Sequence, residues 1–334
     1  MSNFIELREI KKASQTLKKV VIESPFQKIE SYSQNYNSNI FFKREDLQKV
    51  RSFKIRGAFN KISSLDKSQV ENGIVCASAG NHAQGFAVSC TTHGYKGKVY
   101  MPITTPNQKI QQVKKFGKNN IEIALTGENF TQAYQKALEE CSKYNKTFIH
   151  PFDDIKVITG QATIFLEIVN QIKDKLDFLF IPIGGGGLIA GALNVFKQLS
   201  PKTKIIGIEP LGAPSMFESL KKNKLITLEK IDRFVDGIAV KKVGNISFNY
   251  CKEFLDDIVI LDENEICYSI IELLETENIV AEPAGAMSTA ALSHYKHKIF
   301  GKNVACIICG GNNDVSRMPE IRRRANKWVK TRKN

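Results

Sequence analysis

Short runs rich in β-branched and aromatic residues alternate along this chain with longer stretches in which apolar residues recur every three or four positions. The runs at 40–43, 74–77, 98–101, 121–124, 147–149, 178–183, 204–208, 257–261 and 304–308 read as strands. The stretches at 83–92, 107–116, 130–144, 155–173 and 188–199 read as amphipathic helices, and helical periodicity also marks the first 25 residues, around Glu6, Arg8 and Glu9. Strands that alternate with helices predict parallel sheets covered by helices, an α/β architecture. Nothing repeats internally and no low-complexity linker intervenes. The spacing predicts two lobes: a small four-stranded domain at 50–150, set between the parts 1–49 and 151–334 of a larger domain.

Composition adds limits to this picture. The 334 residues suffice for two lobes, and 42 % hydrophobic with 25 % charged residues is an ordinary globular balance. No apolar run is long enough to span a bilayer, and the N-terminal segment has no apolar core of the signal-peptide kind, so no membrane partner is expected. The seven cysteines are odd in number, scattered and mostly within apolar segments, which predicts a reduced, cytoplasmic protein. Cys306 and Cys309 have CxxC spacing, but apolar Ile307 and Ile308 between them make a buried strand the better reading. No zinc spacing occurs, and no metal site is expected.

The formal charge of +14 suggests nucleic acid until its distribution is counted. Arg322, Arg323, Arg324, Lys327, Lys330, Arg332 and Lys333 supply half of it within 322–334, where no acid occurs. The remainder has no aromatic interleaving or nucleic-acid motif, so a solvated basic tail is expected and no nucleic-acid partner.

Candidate chemistry lies in one lysine and three loops. Lys54, within Ser52-Phe53-Lys54-Ile55-Arg56-Gly57-Ala58, follows what reads as a polar turn, Lys43-Arg44-Glu45-Asp46. An amine in partly apolar surroundings can lose its proton near neutral pH and form a Schiff base with an aldehyde; a packed amphipathic stem is the plainer alternative. The first loop, Ser78-Ala79-Gly80-Asn81-His82, follows a strand and opens a helix, where backbone amides suit a carboxylate. An N-cap by Ser78 or Asn81 would be the ordinary alternative, and His82 could be a base or an orienting residue. The second, Gly184-Gly185-Gly186-Gly187-Leu188, gives up several kcal/mol of backbone entropy, so its conformation must matter, and its successive amides suit a phosphate. It also supports a rival. Gly185-Gly186-Gly187-Leu188-Ile189-Ala190 fits the dinucleotide pattern, with Glu209 ending the next strand where a ribose-binding acid would lie, which would make the protein an NAD-binding oxidoreductase. That rival leaves Lys54 and the asparagine loop without work. The third loop, Cys309-Gly310-Gly311-Asn312-Asn313-Asp314, begins at a strand's carboxyl end, where Cys309 either faces a ligand or packs as a small hydrophobe.

Taken in order, the lysine run, the asparagine loop and the glycine loop resemble the fold type II pyridoxal-phosphate enzymes, specifically the threonine dehydratases. The resemblance extends over nearly the whole chain through Lys43-Arg44-Glu45-Asp46, His150-Pro151-Phe152-Asp153, Asp236-Gly237-Ile238-Ala239-Val240-Lys241, Ala281-Glu282-Pro283-Ala284-Gly285-Ala286 and the segment 309–314. It implies a pyridoxal 5'-phosphate cofactor anchored on Lys54, with Phe53 beside the ring, Asn81 donating to the ring's phenolic oxygen, Gly184 to Leu188 holding the phosphate, and Cys309, where the family usually has serine, facing the pyridine nitrogen. It further implies that Ser78, Ala79, Gly80, Asn81 and His82 bind the substrate carboxylate and that Lys54 removes the α-proton. The implied reaction is the deamination of L-threonine to 2-oxobutanoate and ammonia, and of L-serine to pyruvate, at the first step of isoleucine biosynthesis. A homo-oligomer follows from the family habit. A non-catalytic relative with the basic tail as its binding element is the remaining alternative.

Departures refine this expectation. Serine racemases carry a serine where this chain has Ala79, so elimination should dominate over racemisation. Racemase-like relatives bind a divalent ion through a Glu, Ala and Asp group; Glu209 and Ala213 align, but Ser215 replaces the aspartate. Long biosynthetic members continue into a domain that senses isoleucine, whereas this chain stops in its basic segment, so feedback through such a domain is expected to be absent.

Overall fold

The computed structural model of this protein describes residues 4–331; residues 1–3 and 332–334, the ends of the expected N-terminal segment and basic tail, lie outside the described residues. Among the described residues ten strands follow one another: β1 Phe26–Lys28, β2 Asn39–Arg44, β3 Ile74–Ala77, β4 Gly97–Met101, β5 Ile121–Leu125, β6 Thr147–Phe148, β7 Phe178–Pro182, β8 Lys204–Pro210, β9 Asp257–Leu261 and β10 Asn303–Ile308. They form a six-stranded sheet ordered β1-β2-β10-β7-β8-β9 and a four-stranded sheet ordered β5-β4-β3-β6. All pairings are parallel except β1 with β2. The nine strands expected from the sequence are present to within two residues at each end. Strand β1 was not legible: it is three residues long at a sheet edge, with a partly exposed pattern that carries no alternation.

The central strands of the larger sheet are buried on both faces, Ile205, Ile208, Val304, Ala305 and Ile307 being fully enclosed. That is the environment of a parallel strand covered by helices on both sides, and it explains why these segments read as continuous apolar runs. Helix Lys54–Ser63 packs between Asn81–His93 and Ile155–Gln171, linking the layers of the two sheets.

Two expectations are corrected. Lys43-Arg44-Glu45-Asp46 is not simply a polar turn: Lys43 and Arg44 are the last residues of β2, Glu45 begins a short 3-10 turn, and the Lys43 and Glu45 side chains are fully buried. The basic tail, as far as it is described, is not a loose solvated segment. Met318–Thr331 is an α-helix that packs on Glu263–Glu277 through buried Ile321 and Ala325. Its cations are partly engaged, with Arg322 on Glu275 at 3.0 Å, Arg324 on Glu320 at 2.9 Å, and the Arg317 and Arg324 guanidinium groups 4.5 and 4.3 Å from the Phe234 ring centre. No helix among the described residues is long and apolar enough to cross a membrane.

Candidate active site

The sequence around Lys54 folds against the end of β10. Ser52 forms an isolated bridge with Gly310, and the Phe53 amide donates to the Cys309 carbonyl at 3.1 Å. This anchorage starts helix Lys54–Ser63 at the carboxyl ends of the strands, where open α/β sheets bind ligands. Behind the helix Arg56 is fully buried. Its Nε and Nη2 donate to the two Glu45 oxygens at 2.8 and 2.7 Å, while Nη1 and Nη2 donate to Glu167 at 2.6 and 3.0 Å. Lys43 completes the network, its Nζ donating to Glu167 at 2.6 Å, Ser24 O at 2.7 Å and Gln171 at 2.9 Å. Burial pushes the Glu45 carboxyl up, but the adjacent Arg56 outweighs it and the net position lies below the ordinary carboxylate range.

Lys54 opens on a cavity of about 260 Å³, which is also lined by Ser78, Ala79, Gly80, Asn81, His82 and Gly185. The structure therefore brings together the lysine, the whole asparagine loop and one residue of the glycine loop. Gly184, Gly186, Gly187, Leu188, Phe53 and Cys309 are not among the residues that line it. Phe53 keeps contact with the amine, its ring centre 5.1 Å from Lys54 Nζ. The Lys54 amine donates to the Pro151 carbonyl at 3.0 Å. Burial lowers its pKa to about 8, against the opposing influence of Cys309 and Glu282. The Cys309 thiol, nearly inaccessible, is pushed well above its usual value by burial and is neutral.

Two helices point uncapped N-termini toward this region. Asn81–His93 begins after Gly80, with no side chain capping it; the Ser78 hydroxyl accepts instead from the Gly80 amide at 3.2 Å. The N-cap alternative for Ser78 and Asn81 is thus set aside, and first-turn amides are left for an anion. Gly187–Leu199 begins after Gly186, which has φ +92° and again no side-chain cap. A side chain at Gly186 would be strained by that φ, and one at Gly185 would meet the Phe152 ring at 2.2 Å. Beside Gly186 the buried Ser247 hydroxyl has no partner among the described residues.

The histidine and the dinucleotide acid fall out of the chemistry. His82 Nε2 lies 3.1 Å from the Ile149 carbonyl and so carries the proton, while burial and the Lys54 charge hold its pKa down at about 3. It is neutral, and too weak a base to take up a proton at neutral pH. Glu209 is fully buried, and its two oxygens accept the Met216 and Phe217 amides at 2.8 Å each, at the start of helix Ser215–Lys221. Burial pushes its pKa up to about 8. Enclosed and engaged by backbone amides, it stands away from the residues that line the Lys54 cavity, which tells against the ribose-binding role.

Several residues in and around the cavity carried no individual role in the sequence reading. Glu282 is buried opposite Lys54, its pKa pushed up to about 7 by burial and then by Asp236. Asn81 donates to Glu282 at 2.6 Å and accepts from Asn312 at 2.7 Å. Lys109, from helix Asn107–Gly117, pairs with Asp236 across the cavity. Asp153 caps helix Asn245–Phe254 by accepting the Asn245 and Ile246 amides at 2.9 Å each. All of these except Lys109 lie within the segments on which the resemblance rests, the one signal that could have flagged them.

The donor set fits a phosphorylated aldehyde. An amine near neutrality stands beside a glycine turn with open helix amides and an unpartnered hydroxyl, and a second open helix end lies across the cavity. Comparison with known proteins agrees. Residues 17–310 match the family model described as pyridoxal-phosphate dependent enzyme. The biosynthetic L-threonine dehydratase of Halalkalibacterium halodurans is 54 % identical over 321 residues, 96 % of this chain and 77 % of that protein. That of Bacillus subtilis is 51 % identical, over 97 % of this chain and 77 % of its own length. Among solved structures, the processed form of threonine deaminase isoform 2 from Solanum lycopersicum superposes with a TM-score of 0.91 at 39 % identity, covering 96 % of this chain and 88 % of its own. Maize serine racemase gives 0.89 at 27 % identity, covering 99 % and 100 %.

Proposed function

The chain belongs to the pyridoxal-phosphate-dependent enzymes, and we propose that it deaminates L-threonine to 2-oxobutanoate and ammonia, with L-serine converted to pyruvate in the same way. Its fold is the two-lobed α/β fold type II of these enzymes. The carrying observation is the Lys54 amine, lowered to about 8 and held at a cavity wall between the asparagine and glycine loops.

Bound at Lys54, pyridoxal phosphate supplies an electron sink that acidifies the α-hydrogen of an amino acid. Gly184 to Leu188 would hold its phosphate, Asn81 its phenolic oxygen, Cys309 the ring nitrogen, and Phe53 would pack beside the ring. A neutral thiol leaves that nitrogen without a charged partner, which favours prompt elimination. The loop Ser78, Ala79, Gly80, Asn81 and His82 holds the substrate carboxylate on its open amides. Lys54 accepts the α-proton, a role its lowered pKa suits, because about a tenth of the amine is already neutral at pH 7, far more than for an exposed lysine. The β-hydroxyl leaves as water, and hydrolysis returns water as ammonia departs, so that threonine yields 2-oxobutanoate and ammonia with no oxidant. Ala79 lines the cavity with a methyl group that can neither give nor take a proton, so racemisation from the face opposite Lys54 is expected to be poor.

The same reading assigns residues 1–49 and 151–334 to the large domain and 50–150 to the small one, a division supported by the separate sheets. It also assigns a homo-oligomer, a cytoplasmic location and the first step of isoleucine biosynthesis. The test is turnover. Purified protein given pyridoxal phosphate and L-threonine is expected to release 2-oxobutanoate, and Lys54→Ala to lower kcat by about 1,000-fold or more, the scale of losing a combined base and anchor. A colourless protein that binds NADH and forms no keto acid would overturn the reading.

A further inference from the structure

The amide of Asn81 is held by two side chains more than 200 positions away, and their arrangement is closed on itself. Asn312 Nδ2 donates to Asn81 Oδ1 at 2.7 Å and to the Val50 carbonyl at 2.8 Å. Asn81 Nδ2 donates to Glu282 Oε1 at 2.6 Å, and the nearby backbone amide of Asn312 helps to hold the Glu282 carboxyl's pKa down. Each contact fixes the next. Turning the Asn81 amide over would set its oxygen against the Glu282 carboxyl and its nitrogen against the Asn312 nitrogen, losing two hydrogen bonds and creating two like-dipole contacts. The orientation is therefore unique.

Glu282 has been diverted to this task. It occupies the N-cap position of helix Pro283–Ala290, yet its side chain makes no cap there and leaves instead toward Asn81. Room for it exists only because residue 310 is glycine, since a Cβ at that position would lie 2.3 Å from Glu282 Oε1. An Asn81 amide nitrogen carries two hydrogens, and Glu282 takes one. The other remains for the cavity that Asn81, Glu282, Asn312 and Lys54 all line.

We infer that Glu282 and Asn312 are positioning residues that lock the Asn81 carboxamide with its second N–H turned to the cofactor's phenolic oxygen. The inference rests on the proposed role of Asn81. It explains why a polar cluster is kept beside the reactive lysine: a lone asparagine could offer either end to the ring, whereas the clamped one offers only a donor. A donor there favours the ionised oxygen and hence the yellow, long-wavelength form of the bound cofactor.

The test reads the absorption spectrum of protein reconstituted with pyridoxal phosphate, with no substrate present. Asn81→Ala sets the spectrum of an unsupported ring oxygen. Asn312→Asp, nearly isosteric but with an acceptor in place of the donor, and Glu282→Ala are each expected to lower the ratio of the long-wavelength to the near-ultraviolet band by about threefold or more, toward that of Asn81→Ala. Glu282→Gln, which keeps an accepting oxygen, is expected to retain at least about half of the wild-type ratio. Wild-type ratios in both Asn312→Asp and Glu282→Ala, with Asn81→Ala altered, overturn the clamp alone. An unaltered Asn81→Ala overturns the role of Asn81 and the clamp with it, and a wild-type protein that takes up no pyridoxal phosphate overturns the family reading as well. Should the variants fail to fold, the wild type still decides. Its Asn81 side-chain amide protons should be protected from exchange with solvent in nitrogen-15 NMR spectra, and exchange as fast as that of an exposed asparagine would overturn the inference.

Discussion

Lys54 carries an energetic cost that follows from the property that makes it useful. Its folded pKa is lowered from 10.5 to about 8 by burial, so between pH 8 and 10.5 the unfolded chain binds more protons and stability rises with pH. Below pH 8 the full cost of enclosing the charge applies, about 3 kcal/mol at 1.36 kcal/mol per unit. Cofactor-free Lys54→Met protein, which keeps the stem without the charge, is therefore expected to be more stable than wild type at pH 7 by about 1–3 kcal/mol, with the gap shrinking as pH rises above 8. Urea denaturation at pH 7 and pH 9.5 measures this, and equal stability at both would contradict it. The lysine was legible because an aromatic, a β-branched residue and a glycine surround it. Glu282 and Asn312 were not, because what gives them meaning is contact with Asn81 across more than 200 residues, and no local pattern encodes that.

At the scale of elements, the helix that carries Lys54 is held from behind by charge rather than by apolar packing alone. Arg56 sits two positions from Lys54 and makes four hydrogen bonds to the carboxylates of Glu45 and Glu167. Enclosed ion pairs repay their desolvation only when fully satisfied, and removing one partner leaves the others uncompensated. Arg56→Met is expected to destabilise the protein by about 3–5 kcal/mol, read as a fall in the urea midpoint and in Tm, while a change of under 1 kcal/mol would contradict the structural role. The Glu45 pKa lies below its unfolded value, so its contribution is present above the ordinary carboxylate range and lost as pH falls through the lowered folded value. This network was invisible in the sequence, where Lys43-Arg44-Glu45-Asp46 reads as a polar turn because charged residues are seldom enclosed. The strands were legible for the opposite reason, since burial on both faces leaves an apolar run that needs no partner to be recognised. The tail failed for a related cause: only Ile321 and Ala325 are buried among its cations, and so sparse an apolar stripe is swamped by the charge.

At the scale of the whole molecule, the two sheets meet around one cavity, and each supplies a part that the other lacks. The four-stranded sheet leads into the asparagine loop, while the six-stranded sheet supplies the glycine loop, Cys309 and Glu282. Lys54 stands at the junction, anchored by Phe53 to the carbonyl of Cys309, and the Lys109–Asp236 pair crosses between the two sides. This convergence is what makes the ordered set of motifs specific where each motif alone is weak. The central claim is that Lys54 is the cofactor's anchor. Borohydride reduction of the pyridoxal-phosphate-loaded protein, followed by peptide mapping, tests it most directly. One pyridoxyl adduct is expected, on the peptide that carries Lys54, and is lost in Lys54→Ala. An adduct on another lysine with Lys54 unmodified would contradict it.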